Sequence, residues 1–140
     1  MAGERSEDGD GVARVLCNIH APLADDRQVS TGVAWRLAEA GRQLDANLLN
    51  LPAGQIIKTH AEPDLDVLVV VIAGTGTLTT DQGALPLTPG ALAWLPHGRT
   101  RSLCAGAQGM AYLTVHRRRP GMQIQSRPPS PRSRAPNSEP

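Results

Sequence analysis

Two side chains with metal-binding and acid–base chemistry, His60 and Glu62, stand two residues apart in a segment with strand-like composition. Residues two apart on a β-strand point to the same face of the sheet, so an imidazole and a carboxylate at this spacing can address one object. Neutral imidazole and carboxylate are both ligands for divalent metal ions. The two groups can equally hydrogen-bond each other, so their chemistry depends on what the fold places beside them.

The residues around this pair recur at fixed spacings in two blocks. In the first, Gly54 is followed after five residues by His60, and a later apolar run ends at Gly74. In the second, the order is glycine, five residues, proline, one residue, glycine, two residues, arginine, at Gly90, Pro96, Gly98 and Arg101. This two-part spacing resembles the cupin family over residues 33–115. The resemblance implies an all-β fold, a cupin-like double-stranded β-helix (jelly-roll) barrel.

Most of the positions that carry metal ligands in that family hold other residues here. Glu62 stands at the second histidine position, Val67 at the glutamate position and Arg101 at the last histidine position. Arginine keeps its proton, and its permanent charge would repel a divalent ion beside it. We therefore expect no cofactor. The alternative is a divalent metal (Mn, Fe, Ni or Zn) held by His60, Glu62 and Asp66, although Asp66 has the parity opposite to Val67 and should point out of the barrel.

The paired changes at Glu62 and Arg101 suggest that an ion pair has replaced the metal. We expect Arg101 to reach into the former metal site, pair with Glu62 and lie beside His60, leaving a pocket for a carboxylate or similar small anion. An arginine at the barrel rim, in water, is the other interpretation. Lys58 is the only lysine; it points inward if strict alternation holds, and otherwise lies near the mouth in water. His97, on a loop that borders the pocket in the family, is a ligand-binding candidate or an exposed turn residue.

The rest of the chain predicts short strands independently of the family. Alternating or continuous apolar segments recur every eight to twelve residues and are separated by glycine and proline turns. Such a pattern is typical of an all-β sandwich or small barrel. We place the barrel at residues 14–119, between segments 1–13 and 120–140, whose scarcity of apolar residues predicts disorder.

Four local predictions bear on how the site is positioned. Strict alternation over residues 55–62 places Ile56, Lys58, His60 and Glu62 on one face. The apolar run 67–72 indicates a central strand covered on both sides. Residues 15–19 form a short strand or an arm that packs on a neighbouring subunit. The one helical candidate is 35–44, although Gly41 and the strand pattern at its start count against it.

Charge is unevenly distributed over the 140 residues. Residues 117–140 hold six arginines and one acid, a charge of +5, whereas residues 1–116 carry −4. Because the body is mildly acidic, we expect no nucleic-acid partner. The two cysteines, Cys17 and Cys104, are too few for a disulfide scaffold. No signal peptide or membrane-spanning run is visible, so we expect a cytoplasmic protein without membrane contact.

The sequence leaves three classes of function. The first is a small cupin-domain protein that binds or senses a small, anionic ligand without metal or catalysis, using His60, Glu62 and Arg101. The second is a metal-dependent cupin enzyme of the dioxygenase or isomerase type, using His60, Glu62 and Asp66. The third is a degenerate barrel that serves protein interaction through its basic tail. The changes at Glu62, Val67 and Arg101 favour the first over the second. The resemblance also implies a homodimer.

Overall fold

A computed structural model describes residues 11–24 and 32–119 of the chain. They form a short helix, α1 (His20–Leu23), and seven strands: β1 (Val33–Arg36), β2 (Leu44–Leu51), β3 (Ile56–His60), β4 (Val67–Thr80), β5 (Gly83–Leu87), β6 (Leu92–Leu95) and β7 (Arg101–Arg117). The predicted all-β class is confirmed. The predictions of disorder for 120–140 and for most of 1–13 concern residues outside the described ranges. Within those ranges, no helix is long and apolar enough to cross a membrane.

Strands β4 and β7 connect all the others. They are 14 and 17 residues long, and every strand pair is antiparallel in the order β1-β2-β7-β4-β5, with β3 on β7 and β6 on β4. The first half of β7 pairs with β3, and the second half pairs with β2. Strand β4 pairs with both halves of β7. The two long strands therefore carry one apolar core along their whole length.

The core lies on one face of β4. Val67, Val69 and Val71 are at most 6% exposed and belong to a single buried apolar cluster. Leu68, between them, is 44% exposed and lies opposite the exposed Trp94 of β6. The prediction that both faces of 67–72 are covered is therefore wrong, because within the described chain the outer face is open here. The homodimer implied by the resemblance remains a prediction.

Both long strands pass through a glycine where they approach each other most closely, Gly74 on β4 and Gly109 on β7. Gly74 has a φ of +74°, and the register between β4 and β7 shifts beside it. The backbone of Gly109 on β7 lies so close that a Cβ on Gly74 would overlap the Gly109 carbonyl oxygen. Because glycine alone combines this φ with this close approach, the two strands continue past each other without a break.

Alternation in β2 breaks because the strand is buried on both faces. Leu48 is fully buried on one face, and Leu51 is 2% exposed on the other. Leu51 lies in the core cluster and pairs with Met110, whereas Leu48 pairs with Leu113.

Two of the local predictions concern the chain before and after β1, and the arm on a neighbouring subunit remains a prediction. Residues 15–19 form no strand, and α1 begins directly after them. The helical candidate 35–44 is instead the end of β1, a turn and the start of β2. Trp35 joins the sheet by pairing with Leu48, and Gly41, with a φ of +75°, lies in the turn. Sheet pairing therefore overrides the weak helical tendency.

Candidate anion-binding site

A bulge in β3 determines which side chains between Ile56 and His60 face the barrel interior. Ile57 pairs with Leu103 and His60 pairs with Arg101, so three steps along β3 match two along β7. Opposed residues of antiparallel strands share a face. Because Leu103 and Arg101 are both buried, Ile57 and His60 face inward with them. The prediction of strict alternation over 55–62 is wrong, since the extra residue reverses the parity of the strand.

The bulge also moves Lys58 and Ile56 out of the predicted inward row. Ile57 packs against the core cluster, whereas Ile56 is 60% exposed. Lys58 is exposed at the bulge, so its inward orientation under strict alternation is not observed. His60 is exposed at the mouth, the end of the barrel where β3 stops and β7 begins. Its Nδ1 lies 2.9 Å from the Lys58 carbonyl oxygen; if it donates there, Nε2 is the acceptor of the neutral ring.

Arg101 is the one buried charged side chain among the described residues, with 6% of its surface exposed. It opens β7 and pairs with His60 of β3 and Thr80 of β4. Its Nε and Nη1 are buried and have no hydrogen-bond partner within residues 11–24 and 32–119. Burial lowers the pKa of Arg101, and the charge of Glu62 partly offsets that effect. The interpretation of Arg101 as a rim residue in water does not match this burial.

Glu62 is bound by Arg119, which is not one of the predicted site residues. Arg119 donates from Nη1 to Oε1 at 3.1 Å and from Nη2 to Oε2 at 2.8 Å, a bidentate pair. The predicted ion pair between Glu62 and Arg101 is therefore corrected to a pair between Glu62 and Arg119. Hydrogen bonding from Arg119 is the main cause that lowers the pKa of Glu62, and the charges of Arg119, Arg101 and His116 lower it further against the effect of burial.

Arg119 is held in place by the three-residue segment 117–119, here called the strap. Arg117 donates from Nη2 to the Asp64 carbonyl oxygen at 3.0 Å. The backbone N–H of Arg118 donates to the Gln43 carbonyl oxygen at 2.8 Å. The backbone N–H of Arg119 donates to Asp45 Oδ2 at 3.4 Å. The strap therefore lies across the barrel end with its backbone fixed at two points.

Asp66 and His97, both predicted site residues, bind each other and not the residues around Arg101. Asp66 Oδ1 accepts from the backbone N–H of His97 at 2.9 Å and lies 2.7 Å from its Nδ1. Both side chains are more than half exposed. Hydrogen bonding from the His97 side chain is the main cause that lowers the pKa of Asp66. Asp66 is thus exposed, as its parity predicted.

The predicted metal set does not assemble. The described residues contain no group of three or more His, Cys, Asp or Glu side chains that could hold a metal ion. Both oxygens of Glu62 accept from Arg119, and Asp66 accepts from His97. The charge of Arg101 also reaches Glu62. The donor set of His60, Glu62 and Asp66 therefore does not fit a divalent ion in this arrangement.

A basic groove of about 450 Å³ lies beside the strap. Its lining residues are Arg36, Arg42, Asp45, Asn47, His116, Arg118 and Arg119. In the sheet register, Asp45 pairs with His116, and two residues further along β2 Asn47 pairs with Thr114. Alternation along β2 places Asp45 and Asn47 on the same face as the core residue Leu51. The groove is therefore the polar continuation of the barrel interior.

The groove carries an excess of positive charge. Arg42 pairs with Asp45 at 2.8 Å, and Arg119 pairs with Glu62. Arg36 donates from Nε to the neutral Asn47 Oδ1 at 3.1 Å. Arg118 adds another guanidinium to the lining. Arg101 is not among the residues that line this groove; it lines a separate cavity of about 210 Å³ together with Asp81, Trp94 and Arg99.

The pair between Glu62 and Arg119 should give the stability of the barrel an acid-dependent component. The pKa of Glu62 in the folded chain is below its ordinary value of 4.5. Its contribution is therefore complete above about pH 4.5 and is lost as the pH falls through the lower folded pKa. We expect Arg119→Ala to destabilise the chain by about 1 kcal/mol or less at neutral pH, and by less at about pH 3. Urea unfolding of both variants at the two pH values measures this, and an equal difference at both would contradict it.

Solved structures similar to this chain share its antiparallel barrel. No protein-family model matches the chain, and no curated protein matches it. A protein from Bacillus halodurans has a TM-score of 0.64 at 14% identity, covering 79% of this chain and 85% of its own. KdgF from Halomonas has a TM-score of 0.56 at 18% identity, covering 66% and 86%. The chain has the cupin fold, which confirms the family resemblance of its two motifs.

A third similar structure has the higher sequence identity. It is a sugar phosphate isomerase of the cupin superfamily from Silicibacter pomeroyi, with a TM-score of 0.54 and 30% identity. The match covers 61% of this chain and 58% of the isomerase. The chain thus spans less than two thirds of the length of that protein.

Proposed function

We propose that this chain is a binding protein for a small anionic ligand, held by Arg101 at the mouth of the barrel. The observation that carries the proposal is the pair of buried donors, Nε and Nη1, that have no partner. Burying a charged donor without an acceptor costs free energy, and a ligand oxygen placed there would recover it. A guanidinium forms charge-assisted hydrogen bonds with carboxylate and phosphate oxygens, which are stronger than bonds between neutral groups.

The basic groove beside the strap does not contain Arg101, but its positive charge would attract an anion to this protein and bears on the class of the ligand. Arg36, Arg118 and Arg119 line a cavity in which Asp45 is the single acidic residue. A phosphate group carries close to two negative charges and three acceptor oxygens, so it gains more than a carboxylate from such a field. The similar protein from Silicibacter pomeroyi is a sugar phosphate isomerase. The ligand that we propose is therefore a small phosphorylated compound, with a carboxylate as the weaker fit.

The proposed role is binding and not catalysis. Arg101 cannot release its proton, so it offers charge and hydrogen bonds without general acid–base chemistry. The residues of the metal-dependent alternative are engaged elsewhere, since Glu62 accepts from Arg119 and Asp66 accepts from His97. These contacts support a site organised by arginine.

Titration of the full chain with glucose 6-phosphate, gluconate and glucose tests this proposal. We expect the phosphate ester to bind, gluconate to bind more weakly, and glucose to bind at least tenfold more weakly, because charge-assisted hydrogen bonds contribute about 1.5–3 kcal/mol. Affinity for the phosphate ester should fall as salt rises. Equal affinity for glucose and glucose 6-phosphate by calorimetry would contradict the proposal.

A further inference from the structure

Glu62 forms an ion pair with Arg119, and the charge of Arg101 also acts on it. Its two oxygens accept from Arg119 at 3.1 and 2.8 Å, while Arg101 influences it through charge alone and keeps two buried donors free. We infer that Arg119 holds Glu62 away from Arg101 and so keeps Arg101 available to an anionic ligand. This inference rests on the proposed function and assigns Arg119 as a positioning residue for that site.

The backbone of Glu62 is held by a hydrogen bond, so loss of Arg119 would change the partner of the Glu62 side chain without moving its backbone. The backbone N–H of Gly98 donates to the Glu62 carbonyl oxygen at 2.7 Å. Gly98 lies in the loop that leads into β7, three residues before Arg101. Glu62 is thereby fastened to the segment that leads into Arg101. If Arg119 were absent, the carboxylate could turn towards the unpartnered guanidinium with its backbone in place.

A carboxylate fastened beside Arg101 would act as an intramolecular competitor of the ligand. Tethered groups reach effective concentrations in the millimolar range or above, so a free ligand at lower concentration would lose the competition. The bidentate pair with Arg119 satisfies both oxygens of Glu62 and removes this competitor. The strap in turn fixes Arg119, because the backbone N–H groups of Arg118 and Arg119 are both bonded.

The test is a double-mutant cycle with inorganic phosphate as the probe and the full chain as the protein. We expect Arg119→Ala to weaken phosphate binding about tenfold, because Glu62 then occupies Arg101. Glu62→Gln should not weaken binding, since it removes the competitor. In the Glu62→Gln background, Arg119→Ala should change the affinity less than about threefold, through the loss of its charge alone. The same tenfold loss in both backgrounds would overturn the inference.

Arg118→Ala is the matched control for the loss of a positive charge. Arg118 lies in the same strap and groove, but it bonds to Gln43 through its backbone N–H. We expect Arg118→Ala to weaken phosphate binding less than about threefold, by its charge alone. Arg119→Lys keeps the charge and a contact to Glu62, so it should retain most of the affinity. A loss in Arg119→Lys as large as in Arg119→Ala, with both variants folded by circular dichroism, would contradict the inference.

Failure of this inference and failure of the proposed function give different results. If Arg101→Met binds phosphate as well as wild type does, the proposed function is wrong and the inference falls with it. If Arg101→Met loses phosphate while Arg119→Ala shows no coupling to Glu62→Gln, only the role of Arg119 is wrong. Coupling in the cycle together with loss in Arg101→Met supports both.

Discussion

Replacing Arg101 with methionine is expected to make the barrel more stable and to abolish anion binding. In the unliganded chain the guanidinium is 6% exposed and leaves Nε and Nη1 without partners. Leaving such groups buried and unsatisfied costs about 1–3 kcal/mol, and methionine of similar length fills the space without that cost. We therefore expect a gain of about 1–3 kcal/mol in the free energy of unfolding. The same change removes the donors that the ligand needs, so phosphate affinity should fall by at least tenfold.

Arg99→Met is the control for this prediction. Arg99 is exposed two residues earlier in the same loop and pairs with Asp81 at 2.7 Å. Its replacement should change stability by less than about 0.5 kcal/mol and leave phosphate binding within about twofold. Urea unfolding and calorimetric titration of the three proteins measure both effects. A loss of stability in Arg101→Met would mean that the guanidinium is satisfied in the folded chain, contrary to our account.

Gly74→Ala is expected to destabilise the barrel more than any other single change of glycine to alanine in it. Gly74 has a φ of +74°, and its added Cβ would overlap the Gly109 carbonyl oxygen and lie 3.1 Å from the Met110 Cα. The strain of a positive φ costs about 1–2 kcal/mol, and the backbone of β7 must move in addition. We expect a loss of about 3–5 kcal/mol in the free energy of unfolding.

Gly54→Ala separates backbone strain from the close approach of the strands. Gly54 has a φ of +76°, almost the same as Gly74, but a Cβ there would meet no atom within 4 Å. Its replacement should cost only about 1–2 kcal/mol. Denaturant unfolding of the two variants gives the difference directly. Equal losses would show that the approach of Gly74 to Gly109 does not constrain the barrel.

The fold was predictable from the sequence because it requires positive φ values at fixed positions, and glycine marks those positions. Gly54, Gly74, Gly90 and Gly98 all adopt positive φ values, for which glycine is the favoured residue. Their spacing therefore identified the barrel before any strand was placed. The continuous apolar run of β4 did not distinguish its two faces, because the exposure of Leu68 depends on what covers the outer face.

The partners within the site were less predictable, for two physical reasons. The bulge between Ile57 and His60 has no glycine or proline to mark it, yet it reverses which residues face inward. Arg119 follows the last strand in a basic run, and the pattern of that run is equally typical of a solvated strand end. Its bond to Glu62 spans 57 positions in the chain. Contacts of that kind follow from strand order, which the spacing of single residues does not encode.

The most direct test of the central claim is to observe the Arg101 Nε–H group by NMR while inorganic phosphate is added. Arg99 Nε–H, in the same loop, is the internal reference, because its guanidinium is exposed and pairs with Asp81. If Arg101 binds the anion, we expect its Nε–H resonance to move downfield and its Nε proton to exchange more slowly with water as phosphate binds. The Arg99 resonance should stay in place. If the chain binds phosphate and the Arg101 resonance does not respond, the ligand lies elsewhere. That result would contradict the proposal that Arg101 holds the anion.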